Sequence, residues 1–377
     1  MKRYLTLIIA FIIILMLELS GCSGVNSPQL SSPQHADEKG QLPEAEASRD
    51  DVLGSGKRVV LGFYTDFGKA SKDSLTKNIK ALDEVAFFWY SFDGTGNPKP
   101  VGNVDLSLKD AAQKGGAKAY ALVHNLGAKG FDSQLAHQVL ANKNVRADFI
   151  KNLVTLTITE HWDGIAIDIE KIPADDRNDY SAFLAELNSA LKAKNKILNV
   201  SIAAKYQDDP KDLWSGAFDY AAIGKAADQV VLMTYEEHGV DTTQGPIASY
   251  GWVNRVINFA KGKIPEEKIV MGLAVYASNW ASNKPTMPTY LTYAKAVELA
   301  KKNNVSILYD ETQQVPHFTF TTAGIRHEIY LENTRSLAAK LTIAKKNQLH
   351  GVAIWKLGIE DPSLWSDVLK DYPSAHK

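Results

Sequence analysis

Eight short runs of apolar, largely β-branched residues recur along this chain: 59–64, 85–90, 119–124, 164–169, 197–203, 230–235, 269–275 and 351–355. Helical patterns separate many of them. In 181–194, for example, Phe183, Leu184, Leu187 and Leu191 fall on one stripe, the spacing of a helix with one buried face. A second helical pattern covers 253–261. Strand–helix alternation of this kind places the strands in a parallel sheet. Eight units over roughly 320 residues fit an α/β fold of the (β/α)8 TIM-barrel type better than an open doubly wound sheet. No glycine-rich phosphate loop follows any of the strands, which argues against nucleotide binding.

One gap is too long for a single helix. Between 275 and 351 lie a helical pattern at 293–302 and strand-like runs at 306–309, 317–321 and 327–331. These predict a small α+β insertion between the seventh and eighth barrel strands, assigned to 286–346. A last helical stretch, 338–346, leads into the final strand.

The residues ahead of the barrel read as an address and a spacer. Lys2 and Arg3 precede an apolar run from Tyr4 to Leu17, shorter than the roughly 20 residues that span a bilayer and fitting a secretory signal. Leu19-Ser20-Gly21-Cys22 resembles the lipobox of bacterial lipoproteins. It implies a signal peptide over 1–21, lipidation of Cys22, export, and a lipid-anchored protein facing the cell envelope. Residues 22–57 are rich in Ser, Pro, Gln, Ala and acidic residues and contain no aromatic; such a segment buries too little surface to fold and predicts a disordered tether. The barrel domain is then 58–377. With 42 Lys and Arg against 43 Asp and Glu, the charge balance gives no reason to expect a nucleic-acid partner. The single cysteine, Cys22, excludes an intramolecular disulfide or a cysteine-rich zinc site.

Chemistry is concentrated in Asp163-Gly164-Ile165-Ala166-Ile167-Asp168-Ile169-Glu170. Strand side chains alternate faces, so the three isoleucines share one face while Ala166, Asp168 and Glu170 share the other. In a barrel the carboxylates then point inward at the C-terminal end of the strand, where active sites of this fold lie. Enclosure and a like-charged neighbour keep one of the two protonated near neutral pH, as a general acid requires. Oxygen ligands of this kind also suit Mg²⁺ or Ca²⁺.

This segment resembles glycoside hydrolase family 18, whose fourth strand carries D-G-x-D-x-D-x-E. Asp163, Gly164, Asp168 and Glu170 match, and Ala166 departs from the pattern. Met233-Thr234-Tyr235-Glu236 is similar to the family's M-x-Y-D, with Glu236 in place of aspartate. Glu236-Glu237-His238, Gly245-Pro246-Ile247-Ala248-Ser249, Trp252-Val253 and the stretch from Gly351 to Gly358 look like the spore-germination, cortex-lytic branch. The resemblance implies a retaining glycosidase acting on N-acetylglucosamine-containing polysaccharide, peptidoglycan before chitin. In it Glu170 is general acid and base, Asp168 orients and stabilises the substrate's acetamido group, and Tyr235 positions that group. Trp355 would floor the sugar site, and Glu236, Met233, Phe63 and Asn125 would complete it. No metal or other cofactor is implied, and the protein is expected to be a monomer. His238 is expected to be a structural loop residue. A chitinase and a non-catalytic carbohydrate-binding barrel are the alternatives.

Overall fold

The computed structural model describes residues 58–370 and 372. Its centre is a closed parallel barrel of eight strands: β1 (Val59–Tyr64), β2 (Glu84–Phe92), β3 (Lys118–His124), β4 (Gly164–Asp168), β5 (Ile197–Ala203), β6 (Gln229–Met233), β7 (Ile269–Ala274) and, after an excursion, β13 (Gly351–Trp355). Each strand pairs in parallel with its neighbours, and β1 closes the ring by pairing with both β2 and β13. All eight expected runs are barrel strands, with ends shifted by no more than two residues. The fold is therefore the TIM barrel that the alternation predicts.

The helices around it are α1 (Lys69–Asn78), α2 (Leu106–Lys114), α3 (Ser133–Ala141), α4 (Lys143–Thr159), α5 (Arg177–Lys192), α6 (Tyr220–Ala226) and α7 (Tyr250–Lys261). Local sequence starts most of them. Asp105, Asp132, Asn142, Asp219 and Ser249 each accept a hydrogen bond from a first-turn N–H, satisfying donors that the helix leaves open. On α5 the stripe of Phe183, Leu184, Leu187 and Leu191 is fully buried. Burial of each such side chain contributes roughly 1.5–3 kcal/mol.

The N-terminal end of the barrel is fastened by a repeated device. Asp83, Asp163 and Asp228 each stand just before a strand and accept the N–H of a residue on or beside the preceding strand, from Val60, Ala119 and Leu198, all at 2.8 Å. The first aspartate of the recognised motif is thus structural. Inside the barrel near this end, Glu84 accepts bonds from Tyr120 (2.8 Å) and Gln229 (2.7 Å), and Gln229 accepts one from Asn199 (2.9 Å). This buried polar layer plugs one mouth of the barrel and leaves the other for chemistry.

The excursion is an antiparallel sheet of β8 (Ala277–Ala281), β9 (Thr289–Leu291), β10 (Leu308–Asp310), β11 (Val315–Thr322) and β12 (Ile325–Leu331), in the order β9-β8-β12-β11-β10, with α8 (Tyr293–Lys302). It has its own small core of Ala277, Ala296, Ala300, Phe318, Ile329 and Leu331. Its limits differ from the expected 286–346. The chain enters β8 only two residues after β7, so the module begins earlier. The following helix, α9 (Thr334–Lys346), belongs to the barrel, because Leu337, Leu341, Ile343 and Ala344 are buried in the barrel core. A buried ion pair, Lys340 to Glu332 at 2.8 Å, joins α9 to the end of the module.

Candidate active site

Asp168 is the last residue of β4, and Glu170 lies two residues on, beyond the regular strand. Asn125, next after β3, takes over where the ladder stops. Its side-chain amide donates to the Glu170 carbonyl (2.9 Å) and to the Asp132 carbonyl (3.0 Å), and its oxygen accepts the Glu170 N–H (2.9 Å). One side chain thereby does the work of a neighbouring strand and keeps Glu170 facing the barrel mouth. Asn125 itself is fully buried and does not line the cavity, so it differs from the substrate contact expected of it. Replacing it with Ala orphans a buried N–H and a buried C=O, at about 1–3 kcal/mol for each group left unmade. Asn125→Ala is expected to lower the urea midpoint and kcat together, measured by equilibrium unfolding and by turnover.

The two carboxyls open into a cavity of about 380 Å³ at the C-terminal mouth. Of the residues expected there, Asp168, Glu170, Tyr235, Glu236, Met233, Phe63 and Trp355 all line it. Trp355 is 7% exposed. Phe63 meets it edge-on at 5.3 Å and Phe88 at 6.0 Å, so the floor is a braced aromatic surface suited to the apolar face of a ring. Tyr235 is placed by the neighbouring strand. Thr234 donates through its hydroxyl to the Gly272 carbonyl at 2.5 Å. A Cβ at Gly272 would come within 2.9 Å of the Tyr235 ring and 2.6 Å of the Leu232 carbonyl, which is why the strand has glycine there.

Burial dominates the electrostatics. The Glu170 carboxyl is pushed well above the ordinary carboxylate range, first by burial and then by the nearby charges of Asp168 and Glu236. Burial pushes Asp168 up to about 7. It does the same for Glu236, against an opposing hydrogen bond from Tyr290. Three carboxyls in one enclosed site cannot all ionise near neutral pH. Glu170, with two acidic neighbours, is the one that keeps its proton. Neutralising a neighbour must lower its pKa, so Glu236→Gln is expected to move the alkaline limb of the kcat/KM profile to lower pH. An unmoved limb would separate Glu236 from the acid.

Residues 59–360 match the model of the glycosyl hydrolases family 18. The chain belongs to that family. It is 31% identical over 310 residues to an uncharacterized glycosylase of Bacillus subtilis, YvbX, covering 81% of this chain and 90% of that protein. The crystal structure of the Bacillus cereus spore cortex-lytic enzyme SleL superposes with a TM-score of 0.78 at 25% identity, over 84% of this chain and 75% of that one. A chitinase from Chromobacterium violaceum gives 0.78 at 27% identity, over 82% and 98%. This family 18 member is a glycoside hydrolase related to cortex-lytic enzymes and chitinases.

Several lining residues of this family 18 site lie outside the recognisable motifs. Tyr290 comes from the inserted module, Trp214 from the segment after β5, Ser201 from β5 itself, and Lys171 from the turn after Glu170. Trp214 carries a sequence signal that was open to use, as a large aromatic in an otherwise polar Asp- and Lys-rich stretch, and it is 40% exposed. Tyr290 carries none, since nothing local distinguishes it from a core tyrosine. His238 is a loop residue whose Nδ1 lies 2.9 Å from the Thr243 carbonyl, and it does not line the cavity. Among the described residues no group of three or more His, Cys, Asp or Glu side chains is arranged to hold a metal ion, and no helix is long and apolar enough to cross a membrane. Cys22 and the expected signal and tether lie outside the described residues.

Proposed function

We propose that this family 18 enzyme cleaves β-1,4 bonds of N-acetylglucosamine-containing glycan with retention of configuration, using the substrate's own acetamido group as nucleophile. The observation that carries the reading is the buried Asp168–Glu170 pair opening onto the Trp355 floor beside Tyr235. Glu170, protonated, donates to the glycosidic oxygen as the bond from that oxygen to C1 breaks. The acetamido carbonyl oxygen closes on C1 and forms an oxazolinium ring. Asp168 orients the acetamido N–H and faces the positive charge that develops, an electrostatic contribution, while Tyr235 holds the carbonyl oxygen on its line of attack. Glu170, now a carboxylate, takes a proton from water, which adds to C1 and reopens the ring. The family is an exception to the two-carboxylate scheme of most glycosidases.

Peptidoglycan of the spore cortex type is the favoured substrate, supported by the likeness to SleL. Cleavage after N-acetylglucosamine fits better than cleavage after muramic acid, whose lactyl group crowds the position beside the acetamide. Likeness to a chitinase supports chitin as the second reading. Lipidation at Cys22 would place the enzyme on the envelope side of a bacterial membrane.

The test is to digest cortex fragments and chitin oligosaccharides separately, reduce the new ends with borohydride and identify them. N-acetylglucosaminitol from cortex fragments, released faster than from chitin, is expected. Muramitol ends would overturn the assigned bond, faster release from chitin would favour the second reading, and tight binding with no new ends would make the barrel a lectin.

A further inference from the structure

Asp168 depends on something to hold it, and its own strand supplies nothing: Ala166, the next inward position on β4, brings no polar atom. Its neighbours on either side do. In the β3–β4 register His124 stands directly opposite Asp168. On the other side Ile167 pairs with Val200, so one step further brings Asp168 opposite Ser201 on β5. Adjacent strands lie about 4.8 Å apart and paired residues point to the same face. His124, Asp168 and Ser201 therefore form one row across the inside of the barrel.

Each member of this row carries a buried polar atom with no hydrogen-bond partner: His124 Nε2, Asp168 Oδ1 and Ser201 Oγ. Buried polar groups are nearly always paired, so three orphans in one row call for an explanation. The tautomer of His124 is set by its other nitrogen. Nδ1 accepts the Leu126 N–H at 3.0 Å, so in the neutral ring the proton sits on Nε2, and burial keeps the ring neutral. Phe88 stacks on the ring at 3.9 Å and 13°, fixing its plane. The row thus offers two donors, an imidazole N–H and a hydroxyl, flanking one carboxylate.

We propose that His124 and Ser201 are positioning residues that donate to Asp168 when it ionises and hold it facing the substrate's acetamido group. This deepens the reading above and rests on the role given there to Asp168. A carboxylate that is itself buried is stabilised chiefly by such donors. The need is greatest as positive charge grows on the oxazolinium, so the contribution falls on kcat more than on KM.

Two variants separate this role from packing. His124→Asn keeps an oxygen where Nδ1 accepts the Leu126 N–H but does not reach the Nε2 position, whereas His124→Gln carries an amide N–H that does. Both lose the stack on Phe88 and only His124→Asn keeps the acceptor for the Leu126 N–H, so a purely structural role would impair His124→Gln at least as much as His124→Asn. With cortex fragments as substrate, His124→Asn is expected to lose about 10–100-fold in kcat, the range for one charge-assisted hydrogen bond, with KM little changed. His124→Gln is expected to recover most of that loss, and Ser201→Ala to show a smaller fall in kcat. A kcat for His124→Gln no higher than that for His124→Asn, or a loss confined to KM, would overturn the proposal. Asp168→Asn, run alongside, tells the two readings apart. If it keeps full turnover, the role of Asp168 itself is wrong; if it is inactive while His124→Gln turns over no faster than His124→Asn, only the inference about the row fails.

Discussion

Glu170→Gln is expected to remove turnover almost completely while leaving the protein folded. Proton transfer by a positioned side chain contributes typically about 10²–10⁴-fold to rate, and Glu170 is the one carboxyl of the site with two acidic neighbours raising its pKa beyond the effect of burial. Glutamine has the same length and no proton to give. Because the acid is neutral near pH 7 in the resting protein, the exchange swaps one neutral buried group for another, and the Asn125 clamp acts on the backbone of residue 170 rather than its side chain. The melting temperature should therefore stay close to that of the wild type, and glycan should still bind. Initial rates of reducing-end release, with a thermal melt on the same samples, check both halves. Turnover within tenfold of wild type would mean that the acid has been misassigned.

Asp168→Asn is the second large effect, and it separates activity from stability in sign. Loss of one preorganised electrostatic partner of a developing charge lowers kcat by about 10²–10³-fold, and asparagine keeps the shape while removing the charge. Stability should move the other way. Burial raises the folded pKa of Asp168 to about 7, above the value near 4 of an unfolded carboxyl. As pH rises between those values the unfolded chain releases a proton that the folded protein keeps, so the residue's contribution to stability falls until the folded group also ionises. Above that window the ionised aspartate destabilises the fold, and asparagine does not. At pH 8 the Asn variant should melt at or above the wild-type temperature, with the difference shrinking toward pH 4. A variant that is both active and less stable at pH 8 would contradict this account of the residue.

The fold was legible because continuously apolar runs alternate along the chain with stretches of period 3.6, and strands buried on both faces of a parallel barrel read as such runs. Asp168 and Glu170 were legible because the isoleucines at 165, 167 and 169 fix which face the carboxylates take. Trp355, Tyr235 and Phe63 stand at or near strand ends, where the barrel geometry brings them to one mouth. Asn125 directly follows a strand, but its amide serves the backbone of Glu170, and no spacing in the sequence distinguishes a backbone clamp from a substrate contact. The α9 boundary was misplaced because a helix pattern does not tell which core its apolar stripe meets. Tyr290 and Trp214 reach the cavity from segments far from the motif, through loop paths that only three-dimensional packing defines. The row formed by His124 and Ser201 depends on strand register, which local periodicity does not report.

The central claim is that the attacking atom is the substrate's acetamido oxygen. A series of aryl glycosides of di-N-acetylchitobiose, with the acetyl group beside the scissile bond carrying zero, one, two or three fluorines, varies the nucleophilicity of that oxygen with little change in size. Log kcat is expected to fall steeply and steadily with each added fluorine. A flat series, with all four substrates turned over alike, would show that a protein group attacks instead.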